Sequence, residues 1–301
     1  MFFKKVLFPL LLITAACSSQ PQTLADLKNS IEQYLDSEPG IFAVEFRSVQ
    51  EPDIQFSINP DTVFHAASTM KTPVMIEVYK QSLDGKFSLG DSILIKNEFT
   101  SIVDGSSFSI ELQPVTDDPE SNDPLEQKIG EKETIYNLTH AMITYSSNIA
   151  TNIIMELVGA ENVTESMRRL GANNIQVIRG LYDMKAFDQG LSNRTTARDL
   201  AIIFEHIANG TAVTPDADRN MIEILKDQFY TDVIPLHLPE DVTIANKTGS
   251  ITGVEHDSGI VTLHDGRSYI LIFLSKNLPD DQRGREVGAE ISKMIYDFLN
   301  R

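Results

Sequence analysis

A single cysteine, Cys17, occurs among 301 residues, so the chain can close no disulfide within itself. Positive charge is also in short supply. Lys and Arg number 25 against 43 Asp and Glu, a formal net charge of −18, and an acidic surface repels phosphate backbones, so nucleic acid is not among the expected partners. The few histidines, His65, His140, His206, His237, His256 and His264, fall at no metal-ligand spacing; structural histidines are expected, with no metal and no other cofactor. Beyond the first seventeen residues no apolar run reaches membrane-spanning length, and no internal repeat is present.

What is present begins with a leader. Lys4 and Lys5 precede an apolar run from Val6 to Ile13, too short to span a bilayer as a helix, and Thr14, Ala15 and Ala16 lead to Cys17. This resembles a bacterial lipoprotein signal, with Thr14 departing from the aliphatic residue usual there. It implies that residues 1–17 are a signal segment, that Cys17 is lipidated at the mature N-terminus, and that the protein is exported and anchored in the cell envelope. The alternative is a plainly secreted or periplasmic protein. The leader holds two lysines and no acid, so its removal takes the net charge to about −20. That charge repels anionic lipid, leaving the acyl chains as the only membrane attachment.

Along the mature chain, 18–301, the pattern changes twice. Leu24, Leu27, Ile31 and Leu35 predict a helix with Thr23 as N-cap, and Ile41–Arg47 and Ile54–Ile58 predict a hairpin. Between Leu89 and Lys132 the pattern dissolves; Pro114, Pro119 and Pro124 among Asp117, Asp118, Glu120 and Asp123 read as a surface excursion. Helical spacing returns at Thr134–Tyr145, Asn148–Leu157 and Ala160–Leu170, followed by a short strand at Ile175–Ile178 and helices at Thr195–Ile207 and Asp216–Leu225. Strands are expected at Val242–Lys247, Gly259–Leu263 and Tyr269–Ser275, the last two joined by a two-residue turn at Asp265-Gly266, and a helix at Val287–Leu299. Strands first and last with helices between give an α/β (α+β) fold. The α/β part is expected over about 23–68 and 211–301, with a mainly helical insertion over about 69–210.

Ser68 and Lys71 stand three residues apart where an extended segment passes into a helix, with Pro73 in its first turn and Gly85 at its end. One turn brings the amine beside the hydroxyl, and an amine that takes its proton converts serine into a working nucleophile. The unpaired N–H groups of a helix start favour a developing oxyanion. Alone, the same spacing describes a helix cap followed by a solvated lysine. Two further motifs lie downstream: Tyr145-Ser146-Ser147-Asn148 between two predicted helices, and Lys247-Thr248-Gly249-Ser250 at the end of a predicted strand.

In this order and context, and with Ala141-Met142-Ile143-Thr144-Tyr145 and Thr195-Thr196-Ala197 beside them, these motifs resemble the class A β-lactamases and penicillin-binding proteins over nearly the whole mature chain. The resemblance implies an antiparallel sheet flanked by the terminal helices, with an all-α subdomain inserted. It implies that Ser68 attacks an amide carbonyl, that Lys71 accepts or relays its proton, and that Ser146 passes a proton to the leaving nitrogen. Asn148 is implied to hold the substrate's amide side chain, Lys247 and Thr248 the carboxylate shared by β-lactams and D-alanyl peptides. Gly249 leaves room for an extended substrate, and the backbone N–H groups of Ser68 and Ser250 form the oxyanion hole.

Two positions depart from that pattern. Class A enzymes carry a water-activating Glu shortly before the Thr-Thr pair; counting back places Leu181 there, and Lys185 where an Asn is usual. Asp183 and Asp188 are the nearest acids, with turn or surface roles expected. Ser147 occupies a position that is Asp in class A. Acylation machinery is therefore expected without the usual deacylating base. That fits a slow β-lactamase with another release route, a D-amino-acid peptidase or amidase, or a binding protein that acylates and stalls.

Overall fold

The computed structural model describes residues 22–112 and 123–301. The leader with Cys17, and Pro114, Asp117, Asp118, Pro119 and Glu120, lie outside the described residues. Helix α1 spans Leu24–Asp36. Thr23 caps it by a reciprocal exchange: its Oγ1 accepts from the Asp26 N–H at 3.1 Å while its own N–H donates to Asp26 Oδ2 at 3.0 Å. The hairpin β1 (Ile41–Ser48) and β2 (Gln55–Ile58) follows, then β3 (Phe64–His65), a 3₁₀ turn at Ala67–Met70, and α2 (Lys71–Leu83).

Two short two-stranded sheets, β4 (Ser92–Leu94) with β7 (Lys132–Thr134) and, between them in the chain, β5 (Phe99–Thr100) with β6 (Ser107–Phe108), occupy the stretch without periodicity. It is not wholly a surface excursion, because Ile95, Phe99, Ile110 and Leu125 enter the core. Helices α3 (Ile135–Thr144), α4 (Asn148–Val158), α5 (Ala160–Arg169), α6 (Met184–Asp188), α7 (Ala197–Ala208) and α8 (Pro215–Lys226) come next, with β8 (Arg194–Thr195) before α7. The strand expected over Ile175–Ile178 is reduced to one bridge between Gln176 and Arg194, because β8 offers too short a partner.

Strands β9 (Thr243–Ile251), β10 (Val254–Thr262) and β11 (Ser268–Lys276) complete an antiparallel sheet of order β2-β1-β11-β10-β9, and α9 (Asp281–Leu299) closes the chain. The β10–β11 loop holds three residues, His264 to Gly266, rather than two. Leu263 pairs with Arg267 across it, and Gly266 at φ +86° supplies the left-handed position that such a loop requires.

Alternation along the strands sorts the interior into two cores. Phe42, Val44, Phe46, Leu271 and Phe273 face α1 and α9, meeting Leu27, Ile31, Val287 and Ile291. Ala43, Ile270, Ile272 and Leu274 face the opposite way, onto a larger core built with α2, α3, α4 and α7. The sheet therefore separates a two-helix layer from the helical body, and β9, its last strand, runs against the 3₁₀ turn that carries Ser68.

Candidate active site

Ser68 lies in the 3₁₀ turn, so the helix proper begins later than its neighbours suggest, at Lys71. The tighter winding matters, because side chains at i and i+3 of a 3₁₀ turn eclipse, and that sets Ser68 and Lys71 on one side. The segment before the serine is clamped from three directions. The Ala66 N–H donates to the Asn193 carbonyl at 2.9 Å, the Ala67 N–H to His65 Nδ1 at 3.0 Å, and His256 Nε2 reaches the His65 carbonyl at 2.9 Å. The Ser275 N–H donates to His256 Nδ1, so His256 carries its proton on Nε2 and donates to His65. Burial holds His256 neutral, its pKa pushed down to about 4. These bonds fix Ala67 at φ +44°, a left-handed conformation a non-glycine residue keeps only when its surroundings enforce it.

Lys71, fully buried, donates from Nζ to the Ser146 carbonyl at 2.7 Å, to Ser146 Oγ at 3.0 Å and to Asn148 Oδ1 at 3.1 Å. Ser146, at φ +54°, lies in the middle of the turn between α3 and α4. From the other side Lys247, also fully buried, donates to the same Ser146 Oγ at 3.2 Å and to the Thr248 carbonyl at 2.9 Å. Burial first, and then the charge of Lys247, push the Lys71 amine well below its ordinary value, against an opposing pull from Asp123. Burial also brings Lys247 down to about 7, with Asp257 opposing.

The Lys247 motif sits inside β9 and not at its end, because β9 continues to Ile251. Thr248, Gly249 and Ser250 line a cleft of about 860 Å³ together with Ser68, Ser146 and Asn148. A side chain at Gly249 would place its Cβ 3.0 Å from the backbone nitrogens of both Ser68 and Thr69. Glycine there lets the strand close on the start of the turn. Ser250 Oγ donates to Glu255 Oε1 at 2.8 Å, and burial raises Glu255 to about 7. Asn246 binds both oxygens of Asp257, and Gln228 donates to the Ile143 and Asn246 carbonyls, tying α3 to β9.

Of the motif residues named from sequence, Ser68, Ser146, Asn148, Thr248, Gly249 and Ser250 thus line one cleft, with Lys71 and Lys247 buried behind Ser146. Three contributors escaped that reading. Asp123, read there as part of a surface excursion, lines the cleft and accepts from Ser147 Oγ at 2.7 Å and the Asn148 N–H at 2.9 Å. Asn152 exchanges two hydrogen bonds with the backbone of Leu181, at 2.9 and 2.7 Å. The third is His256, described above. Asp183 is buried rather than on the surface. It caps α6 and accepts from Ser101 Oγ at 2.9 Å and the Ile102 N–H at 3.0 Å. Lys185 pairs with Asp104 and Ser106.

A serine on the cleft three residues before a buried lysine, a second hydroxyl bridging two lysines, and a lysine-bearing strand against the serine's turn make up a serine hydrolase architecture. The beta-lactamase enzyme family matches residues 25–299, and the chain belongs to that family. Among its relatives, β-lactamase SME-1 of Serratia marcescens is 24% identical, over 90% of this chain and 87% of the relative. The imipenem-hydrolyzing β-lactamase of Enterobacter cloacae is 25% identical, over 98% and 96%. Among solved structures, a β-lactamase from Sphaerobacter thermophilus superposes with a TM-score of 0.73 at 24% identity, over 91% of this chain and 95% of that one. A leucine-to-glutamate mutant of PBP-A, an acyl-enzyme complex with penicillin G, gives 0.76 at 25%, over 93% and 98%. At the level of the family the chain is a serine hydrolase acting on β-lactams.

Proposed function

We propose that Ser68 forms an acyl-enzyme with β-lactams or related D-alanyl amides and that release is slow. Ser68 Oγ attacks the carbonyl carbon as its proton passes to Lys71, and the C–N bond breaks as Ser146 delivers its proton to the leaving nitrogen and recovers one from Lys71. The N–H groups of Ser68 and Ser250 stabilise the oxyanion, roughly 3 to 4 kcal/mol per donor. Lys247 and Thr248 take the substrate carboxylate, and Asn148 its amide.

The observation that carries slow release is the fate of the loop before α7. Leu181 stands where class A sequences place the water-activating Glu, and Asn152 holds its backbone at both N–H and carbonyl. Asp183 turns its carboxylate to Ser101 and Ile102. PBP-A, similar to this chain, was captured as an acyl-enzyme with penicillin G, which supports the penicillin-binding reading alongside the hydrolase one. Export, with attachment through a lipidated Cys17, is proposed from the leader.

Intact-mass measurement of the mature protein with penicillin G tests this reading. The expected course is a burst of one adduct per chain, lost slowly, and abolished in Ser68→Ala. An adduct mapping to Ser146, or turnover with no accumulation, would overturn it.

A further inference from the structure

Lys71 and Lys247, both buried, aim two basic nitrogens at one hydroxyl on the cleft wall, where two ammonium groups repel each other. Each amine has a carboxylate one residue removed: Asn246, next to Lys247, binds Asp257, and Asn148, which accepts from Lys71 Nζ at 3.1 Å, donates its N–H to Asp123 at 2.9 Å. Burial first and then the charge of Lys247 lower the Lys71 amine, and the charge of Asp123 opposes them.

Asp123 is built into the site. Its Oδ2 accepts from Ser147 Oγ at 2.7 Å, from the Asn148 N–H at 2.9 Å and from the Ile149 N–H at 3.4 Å. It thereby caps the start of α4 from outside the helix, while Ser147 Oγ accepts in turn from the Ala150 N–H at 3.0 Å. Leu125, two residues on, is buried in the helical core and anchors the segment. Where class A sequences carry Asp, Ser147 hands the contact on to a carboxylate from a distant loop.

We propose that Asp123 is the positioning carboxylate of this active site, locking the Ser146-Ser147-Asn148 turn onto α4 and stabilising Lys71 once it has taken the Ser68 proton. This rests on the reading of Lys71 as proton acceptor. As the Ser68 O–H bond breaks and Oγ bonds to the carbonyl carbon, the proton joins the Lys71 lone pair. The ammonium so formed, beside Lys247, is offset by Asp123.

The test is the pH profile of acylation by penicillin G in wild type, Asp123→Asn and Lys71→Ala. Asparagine keeps an oxygen acceptor for Ser147 and loses the charge, so Lys71 holds its proton less tightly and becomes neutral at lower pH. The acid limb of acylation is expected to move down by about 0.5 to 1 pH unit, and the double variant Asp123→Asn/Ser147→Asp to move it back. A folded Asp123→Asn with an unshifted limb overturns the proposal. Lys71→Ala acylating at the wild-type rate would instead overturn the proton-acceptor reading, so the two failures are distinct. Should Asp123→Asn not fold, the double variant carries the test: folded, with its limb displaced from wild type, it too overturns the proposal.

Discussion

Lys71 on α2 and Lys247 on β9 meet at a single oxygen, Ser146 Oγ, at 3.0 and 3.2 Å. Neither side chain reaches solvent, so each depends on its neighbours for its charge state. In the proposed chemistry they divide the work: Lys71 receives a proton, and Lys247 keeps one to hold an anion.

That division has a pH signature. Burial brings Lys247 down to about 7, so the ammonium is present below that value and lost above it. Affinity for a carboxylate-bearing penicillin is expected to weaken by up to about tenfold per pH unit above 7. The corresponding penicillin ester, lacking the anion, should show little such dependence. Equal profiles for acid and ester, measured as inhibition constants, would remove Lys247 as the carboxylate ligand.

Leu181→Glu alone is expected to speed release of the acyl-enzyme only slightly. Asn152 fixes the backbone on which the new carboxylate would stand, and Lys185 is held by Asp104 and Ser106, away from any supporting role. A displacement of about 1 Å can cost a hundredfold in such chemistry. In parallel, Asp183→Asn should lower thermal stability, because a buried cap is weakened, and leave the release rate nearly unchanged. A large fall in release rate in Asp183→Asn would make Asp183 the base after all.

Gly249→Ala should reduce acylation about a hundredfold or more with a modest change in melting temperature. The new methyl would sit 3.0 Å from the nitrogens of Ser68 and Thr69, forcing β9 away from the turn where the oxyanion is proposed to bind. Wild-type acylation in this variant, by stopped-flow or mass, would show that the strand and the turn need not close.

Cys17→Ser is expected to leave folding and acylation intact while releasing the protein from the membrane fraction. Sedimentation of the variant with membranes would count against lipidation at this residue.

What could be read from sequence was chiefly what is local. Ser68 and Lys71 lie within one turn, and Ser146 and Asn148 within another, so spacing alone places each pair together. Asp123 reaches across 24 or more residues from a stretch with no periodicity, which no pattern along the chain links to Ser147. Asn152 left a trace, an amide in the interior of the largely apolar α4, where a buried polar group must find a partner. The β10 strand begins earlier than the strand expected over Gly259–Leu263, because the polar run Glu255, His256, Asp257 and Ser258 carries no apolar alternation. All four are buried, each satisfied by a partner such as Arg285, His65, Asn246 or the Lys247 carbonyl. The start of α9 was missed for the opposite reason, since its first turn is polar and interrupted by Gly284.

Strand β9 also ends the sheet, leaving one of its edges without a neighbouring strand among the described residues. An unpaired edge ordinarily invites other sheets to add on and polymerise, and many proteins blunt it with charge or a bulge. Here much of the strand, including Ala245, Asn246, Lys247 and Gly249, is sunk beneath the helical body. A single narrow chain can reach the edge along the cleft, whereas a second folded sheet is too wide to enter. The same recess that admits a guest therefore guards the protein against aggregation, and opening it by engineering would trade one property for the other.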